Sequence, residues 1–304
     1  RFGNTTGIRQ VVIEGHQMTE LTSVPIEDLE RYLRMLDWSE VEHELLIEIG
    51  EYGFPVYFRL ARQANEFLTV LYNGAVDRKR SKTGIVFQRK TWTEVFTTNV
   101  IHFCDPTLLP HPELTIGWGQ LSRDEWAYSG YLRILKTFRR ALRFSPPSFT
   151  IHYGSSAGGF QALMGACLDR GSYALVNNPQ MTVRNYYPNH RLRLFRDVFG
   201  DADSESYWSN KYPERFSFLS QCKTQGRIPR TRVAINVASK SDFRKQLVPV
   251  IEQLDKLGFS PSQNFRIELY WDEAAGHGPL SKSITRRLVL EEQDRIRLLN
   301  RGPQ

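Results

Sequence analysis

The sequence predicts an α/β fold, with a mostly parallel sheet, helices on both faces and an insertion over one edge. Three observations point there. Short apolar runs that read as strands alternate with segments of helical period. One such run, Phe149–Tyr153, enters a turn of small residues that opens directly into an apolar helix. One long stretch, Pro179 to Arg230, leaves this rhythm and carries no strand signal.

Composition sets the outer limits. The chain has 304 residues, 40% of them apolar and 12% aromatic, enough for a large core without division into several domains. Two regions are expected: residues 1–66, whose strands and helix form an antiparallel margin, and residues 67–304, a core with a lid at about 179–230. There are 40 Lys and Arg against 33 Asp and Glu, a net charge of +7. This excess is modest and has no solid basic run, which argues against a nucleic-acid partner. Cys104, Cys167 and Cys222 are far apart and lack CxxC spacing. That excludes a disulfide framework or zinc knuckle and favours a reducing, cytoplasmic compartment, with Cys104 and Cys167 as small buried hydrophobes. No apolar stretch approaches the roughly 18 residues of a membrane helix, and no signal peptide opens the chain. The start at Arg1 without Met is compatible with one piece of a longer polypeptide or assembly. No HExxH or His/Asp cluster at ligand spacing is present, so neither metal nor cofactor is expected.

In chain order, Ile8–Glu14, Glu44–Ile49 and Val56–Ala61 read as strands. In the last, Val56, Phe58 and Leu60 alternate with Tyr57 and Arg59, as in a half-covered edge or antiparallel strand. Ile26–Leu36 has helical spacing with acidic residues near its start. Phe67–Tyr72 and Val100–Cys104 are continuous apolar runs, expected as central strands. Ser122-Arg-Asp-Glu125 reads as a capping box for a helix bearing Tyr128, Tyr131, Leu132, Leu135, Phe138 and Leu142 and stopped by Pro146-Pro147. The stretch 179–230 is rich in Asn, Tyr, Arg and Ser, holds a short amphipathic piece around Leu192–Phe199, and is expected to form the lid. Thr231–Ala238 reads as a strand and Lys245–Leu257 as a helix closed by Gly258. Phe265, Ile267, Leu269 and Trp271 alternate with polar residues as a half-buried strand near the sheet edge. Pro279 suits the first turn of a final helix running to about Leu299.

The chemistry concentrates at Gly154-Ser155-Ser156-Ala157-Gly158-Gly159, between the strand Phe149–Tyr153 and a helix with Phe160, Leu163, Met164, Cys167 and Leu168 on one face. Gly154, Ser156 and Gly158 match G-x-S-x-G, in which a serine nucleophile sits on a sharp strand-to-helix turn. Glycine neighbours permit the strained backbone and close helix packing. At a helix N-terminus, amide N–H groups favour a developing oxyanion. Ser155 is a rival nucleophile at the variable position, and a turn that binds phosphate or nothing is the plainer reading. Serine needs a base. His277 follows the strand at 265–271 within Glu273-Ala-Ala-Gly-His-Gly-Pro279, whereas His102 and His152 lie inside strands and His16, His43, His111 and His190 lack such a turn. Asp242, in Ser239-Lys-Ser-Asp242 after the strand at 231–238, is the candidate acid, with a simple N-cap as its alternative and Asp272 and Glu273 as rivals. Ala157 N–H is one expected oxyanion donor, and Asn73-Gly74-Ala75, after the strand at 67–72, is the expected source of the other through Gly74 or Ala75.

Through these parts, in the chain order serine, acid, histidine, the chain resembles the α/β-hydrolase superfamily from about Phe67 to Leu299. The Tyr-Gly-Ser-Ser-Ala-Gly-Gly turn more loosely resembles that of bacterial hydrolase-like proteins linked to surface glycans, including accessory secretion-system acetyltransferases. The resemblance implies ester, thioester or amide hydrolysis, or acyl transfer, through an acyl-serine. The leading expectation is an acyl-ester hydrolase or acyltransferase acting on a small-molecule or glycan acyl substrate. Tyr186, Tyr187, Tyr207 and Trp208 would stack on sugar rings, and Arg184, Arg191, Arg193 and Arg196 would meet anionic groups. A solvated helix face is the equal alternative for the arginines. A peptidase or thioesterase with the same residues, or a catalytically idle binding module in a larger assembly, are the competing readings.

Overall fold

The computed structural model describes residues 9–12, 20–37, 40–256 and 264–301. It has an α/β-hydrolase-like fold built on one ten-stranded sheet, in the order β1-β2-β3-β4-β6-β5-β7-β8-β9-β10. The strands are β1 (Arg9–Val12), β2 (Glu20–Pro25), β3 (Glu42–Ile49), β4 (Tyr52–Arg59), β5 (Leu68–Tyr72), β6 (Asn99–Phe103), β7 (Thr150–Ser155), β8 (Tyr173–Asn177), β9 (Arg230–Asn236) and β10 (Phe265–Tyr270). From β6 through β10 every neighbouring pair is parallel. The β1/β2, β3/β4 and β4/β6 pairs are antiparallel, and β2/β3 is parallel. The described helices are α1 (Leu29–Met35), α2 (Ala127–Leu142), α3 (Ala157–Leu168), α4 (Pro188–Phe199), α5 (Glu205–Lys211), α6 (Pro213–Phe216), α7 (Phe218–Gln225), α8 (Val248–Lys256) and α9 (Lys282–Asn300).

The continuous apolar run at β5 is buried along its whole length and that at β6 from Val100 onward, as expected of strands with both faces covered, and β7 is buried throughout as well. One face carries the larger core, with α2 and α3 packing Tyr131, Ile134, Phe138, Phe160, Leu163 and Met164 against Val70, Tyr72 and Val176. The other is closed by α9 and the segment around Trp92–Phe96, where Leu288, Val289 and Ile296 share a cluster with Leu71, Tyr153 and Leu175.

Several local expectations change. The strand expected at Val56–Ala61 as an edge or antiparallel strand is β4, antiparallel to both neighbours but not an edge: it sits between β3 and β6 and is buried from Phe54 to Arg59. Its polar-looking side is covered because Tyr57 packs with Val95 and Phe96 and donates to Glu42 Oε2 at 2.7 Å. The Ser122–Glu125 box closes a turn, with Glu125 N–H donating to Ser122 Oγ at 2.9 Å, and α2 begins afterwards at Ala127. Pro279 precedes α9, whose N-cap is Ser281, with Oγ accepting from Ile284 N–H. In β10 Phe265 is buried and Arg266 exposed as expected, but from Ile267 onward the alternation runs opposite to hydropathy. Leu269 and Trp271 are exposed, while Tyr270 joins the buried cluster because its hydroxyl accepts from Asn177 and Asn178 at 3.0 and 3.1 Å. Residue Ile8, residues 13–19 with His16, and Leu257 and Gly258 lie outside the described residues.

Candidate active site

The turn after β7 is shaped by contacts too close for any side chain. A Cβ on Gly154 would lie 2.1 Å from the carbonyl oxygen of Gly158, and one on Gly158 would lie 2.6 Å from that of Tyr72. With these positions empty, α3 can start immediately against the sheet. Ser156, at the corner, has φ 55° and ψ −125°, a conformation rare for a residue with a side chain. It persists because the surroundings over-determine it: Ser156 N–H donates to Asn177 O at 3.2 Å, and its carbonyl accepts from Phe160 N–H and Gln180 N–H, both at 3.1 Å.

His277 is brought to this corner by asparagines at the ends of β8 and β9. Asn236 Nδ2 donates to the carbonyls of Asp272 and Gly276 at 2.6 and 2.8 Å. Asn178 Nδ2 donates to Gly278 O at 3.1 Å, and Asn177 Oδ1 accepts from Leu280 N–H at 2.9 Å. These bonds fix residues 272–280, and His277 Nε2 lies 2.8 Å from Ser156 Oγ. On its other side, Nδ1 lies 2.8 Å from both oxygens of the buried Asp242 carboxylate. A carboxylate can only accept, so the proton sits on Nδ1 and Nε2 is left as an acceptor facing the serine hydroxyl.

Asp242 sits on a π-helical turn, Ser241–Leu247, that leads into α8. The same turn carries Gln246, whose Oε1 accepts the backbone N–H groups of Met181 and Thr182 at 2.8 and 3.0 Å. One turn thus holds both the carboxylate and the start of the 179–230 segment. Asp272 and Glu273 are engaged within their own loop, Asp272 Oδ1 with Ala275 N–H at 2.9 Å and Glu273 Oε1 with Trp271 Nε1 at 3.3 Å.

The structure therefore brings Ser156, His277 and Asp242 together, with Ala157 as the first residue of α3. Ser155 points elsewhere and accepts from the guanidinium of the buried Arg89 at 2.6 Å. Gly74 does approach the corner, since a Cβ there would lie 3.5 Å from Ser155 O. Its N–H, however, donates to Gln88 Oε1 at 2.9 Å, while Gln88 Nε2 donates to Ala75 O at 2.7 Å. His102 and His152 are buried in the sheet, bonded to Asn73 and to Tyr72 and Asp169. Burial lowers both imidazole pKa values, to about 3 for His102. All three cysteines are free and buried.

The segment expected as a lid carries four helices, α4 to α7, of which α7 packs against α3 and α8. Tyr186 reaches the site: its ring centroid lies 6.5 Å from that of His277. Burial, with Tyr187 and Asp242, raises the Tyr186 phenol pKa against the opposing hydrogen-bonding pull of Ser156 and Gln180, so the hydroxyl stays protonated. Tyr187 stacks edge-on against Tyr186 and is half exposed. Three of the four arginines are occupied within the chain: Arg191 pairs with Glu205, Arg193 donates to Glu113 O at 3.0 Å, and Arg196 pairs with Asp197, while Arg184 is exposed. Tyr207 and Trp208 pack against Lys211.

Two contributors were not singled out from the sequence. Gln180 is fully buried, and its Nε2 donates to Ser156 Oγ at 3.1 Å. Trp118, also fully buried, donates its indole N–H to Gln180 Oε1. The asparagines at 177, 178 and 236 were missed as well. Their signal was polar residues just past apolar strands, at the edge where sites form in such sheets.

No protein-family model and no curated protein matches the chain by sequence. Solved structures do match it. The capsule O-acetyltransferase of Neisseria meningitidis serogroup A superposes with a TM-score of 0.58 at 13% identity, over 81% of this chain and 96% of that one. An S-formylglutathione hydrolase from Agrobacterium tumefaciens gives 0.54 at 13% identity, over 84% and 94%. The glycosylation associate protein (Gap123) complex from Streptococcus agalactiae gives 0.54 at 16%, over 84% of this chain and 46% of that one. At such identities the likeness is one of fold.

Proposed function

We propose that the chain is a serine-dependent acyl-ester hydrolase or O-acyltransferase that works through an acyl-serine, with a polar, glycan-like acyl substrate. The observation that carries this reading is the unbroken relay of 2.8 Å contacts from Ser156 Oγ through His277 to Asp242. His277 Nε2 takes the hydroxyl proton as Oγ attacks the acyl carbon, and the carbonyl electron pair moves onto oxygen. Asp242 keeps the Nδ1 proton in place and stabilises the imidazolium. When the tetrahedral species collapses, the bond to the leaving group breaks and His277 returns the proton to it. Water or an acceptor hydroxyl, deprotonated by the same imidazole, then attacks the acyl carbon, and as the bond to Ser156 Oγ breaks His277 returns the proton to that oxygen.

The polar substrate is the finer part of the proposal. It is supported by Tyr186 and the half-exposed Tyr187 beside His277, where rings can stack on a sugar. It also draws on neighbours of this fold named for capsule O-acetylation and for glycosylation. The internal partners of Arg191 and Arg193 make the two tyrosines the stronger candidates for substrate contact.

The test is active-site labelling with a fluorophosphonate probe alongside turnover of p-nitrophenyl acetate. Ser156→Ala should abolish both while leaving the circular-dichroism spectrum and melting temperature unchanged. Labelling that survives in Ser156→Ala and disappears in Ser155→Ala would move the nucleophile. A wild-type chain that neither labels nor turns over would leave the idle binding module as the better account.

A further inference from the structure

We propose that the second donor of the oxyanion site is the side chain of Gln180, with Trp118 as its positioning residue; this rests on the reading of Ser156 as the nucleophile. An acyl-transfer site needs donors where negative charge develops. Ala157 N–H, at the start of α3, supplies one. The backbone amide that sequence order suggests for the other, Gly74 N–H, is engaged by Gln88 Oε1 at 2.9 Å. Gln88 Nε2 in turn bonds Ala75 O at 2.7 Å, so this side chain clamps the loop from both sides.

Gln180 reaches Ser156 from the residues that follow β8 and is built for a single orientation. It follows Asn178, whose φ is 40°, and Pro179, which sits over Gly159. Its backbone N–H is tied to Ser156 O at 3.1 Å. Indole nitrogen can only donate, so the Trp118 N–H requires the amide oxygen of Gln180 to face it. The NH₂ group is thereby turned to Ser156 Oγ, at 3.1 Å. That group cannot accept a hydrogen bond, so it offers the serine proton no partner, whereas His277 Nε2 lies 2.8 Å away as an acceptor.

The same donor serves the next state. When Oγ bonds to the acyl carbon, the former carbonyl oxygen lies only two bonds from Oγ, within reach of an N–H held 3.1 Å from it. The π pair that moves to this oxygen on attack, and returns on collapse, meets a donor already oriented and buried, with no reorganisation during the reaction. Glutamine at 180 thus presents only a donor to Ser156 in the resting state and receives the charge in the tetrahedral state.

The experiment measures p-nitrophenyl acetate kinetics and inhibition by a small trifluoromethyl ketone for the wild type and for Gln180→Met, Gln180→Glu, Trp118→Phe and Ser156→Ala. Methionine removes the donor at similar volume, and glutamate keeps an acceptor for the indole. Both Gln180 variants should lose about 10²- to 10³-fold in kcat with KM within a few-fold, the range seen when one oxyanion donor is removed. Trp118→Phe should lose less, in the same parameter. The ketone forms a tetrahedral adduct, so its inhibition constant should rise in step with the loss in kcat/KM. A loss below about five-fold in both Gln180 variants, with Ser156→Ala inactive, overturns the proposal and leaves the nucleophile intact. Slower turnover with unchanged ketone affinity also overturns it, because Gln180 would then act on the resting hydroxyl alone. A rise in kcat in Gln88→Ala would return the second donor to Gly74. An active Ser156→Ala defeats the underlying reading instead.

Discussion

The stretch from β7 through α3 and the segment from Pro179 to Arg230 both meet at Ser156, yet they are fixed by different means. The first is held by backbone shape: Gly154 and Gly158 leave no room for a Cβ, and Ser156 takes a positive φ because the surrounding main chain imposes it. The second is held by side chains that reach far in sequence. The buried Arg215 donates to the carbonyls of Gln120 and Ser122, both at 2.7 Å, and Gln246 clamps Met181 and Thr182. One neighbourhood can therefore combine a corner dictated locally with a segment whose position depends on distant partners. The former tolerates almost no change in residue size, and the latter almost none in hydrogen-bonding partner.

The largest expected effect separates the distant partner from the near one. Asp242→Asn should leave the protein folded and lower the acylation rate about 10⁴-fold, because asparagine favours the wrong imidazole tautomer. Asp272→Asn should change it little, since an amide oxygen can still accept from Ala275 N–H. Pre-steady-state kinetics on the two variants would decide, and the reverse order would return the acid to the histidine's own loop.

Next comes the local corner. Gly158→Ala forces a methyl to 2.6 Å from a main-chain oxygen, with no flexible side chain to yield. A loss of about 3 kcal/mol in urea unfolding is expected, at the upper end for overpacking. A near-neutral result would mean that α3 can shift and that the corner is not set by shape.

The 179–230 segment can be loosened on its own. Arg215→Met keeps apolar contact with Phe199 and Tyr212 but abandons the carbonyls of Gln120, Ser122 and Arg123. A cost of about 2 kcal/mol is expected from unsatisfied buried acceptors. Hydrogen exchange should show faster exchange in α5 to α7, with the amides of β7 and α3 still protected. Equal loosening throughout would show that the two regions are one cooperative unit.

The last expectation concerns acid stability and builds up only as pH falls. His102 and His152 are buried in the sheet and their pKa values are lowered by burial, His102 to about 3. The unfolded chain takes up these protons first, near pH 6.5. The stabilisation is therefore complete above that pH and is lost as pH falls towards the folded value, by up to about 1.4 kcal/mol per pH unit per histidine. Denaturation curves between pH 7 and 4 should show this slope, and His102→Gln should reduce it. An unchanged slope would assign acid sensitivity to other groups.

The same contrast explains what could be read before the structure. The corner was legible because its determinants are adjacent: a buried strand, small residues and an apolar helix in unbroken order. The histidine loop was legible because small residues flank His277. Gln180 and Trp118 were not, because nothing in local periodicity links two buried side chains so far apart in the chain. At β10 hydropathy misled, because the hydroxyl of Tyr270, bonded to two asparagines, decides which side turns inward. At β4 a pattern suited to one wet face is covered on both, since Tyr57 finds Glu42 for its hydroxyl.

The π-helical turn at Ser241–Leu247 makes chain length itself a constraint on this site. Its wider winding accommodates one more residue than an ordinary turn, and Asp242 and Gln246 project from it towards different partners, His277 and the start of the 179–230 segment. Deleting one residue would let the turn relax into an α-helix without loss of helicity or apolar content. Every side chain on one side of the deletion would then rotate by about 100° relative to the other. Either the carboxylate or the clamp would be carried away from its partner. Related sequences can thus exchange residue types here more freely than they can gain or lose a position, and a gap in an alignment at this turn would signal a changed site even where serine, acid and histidine all remain.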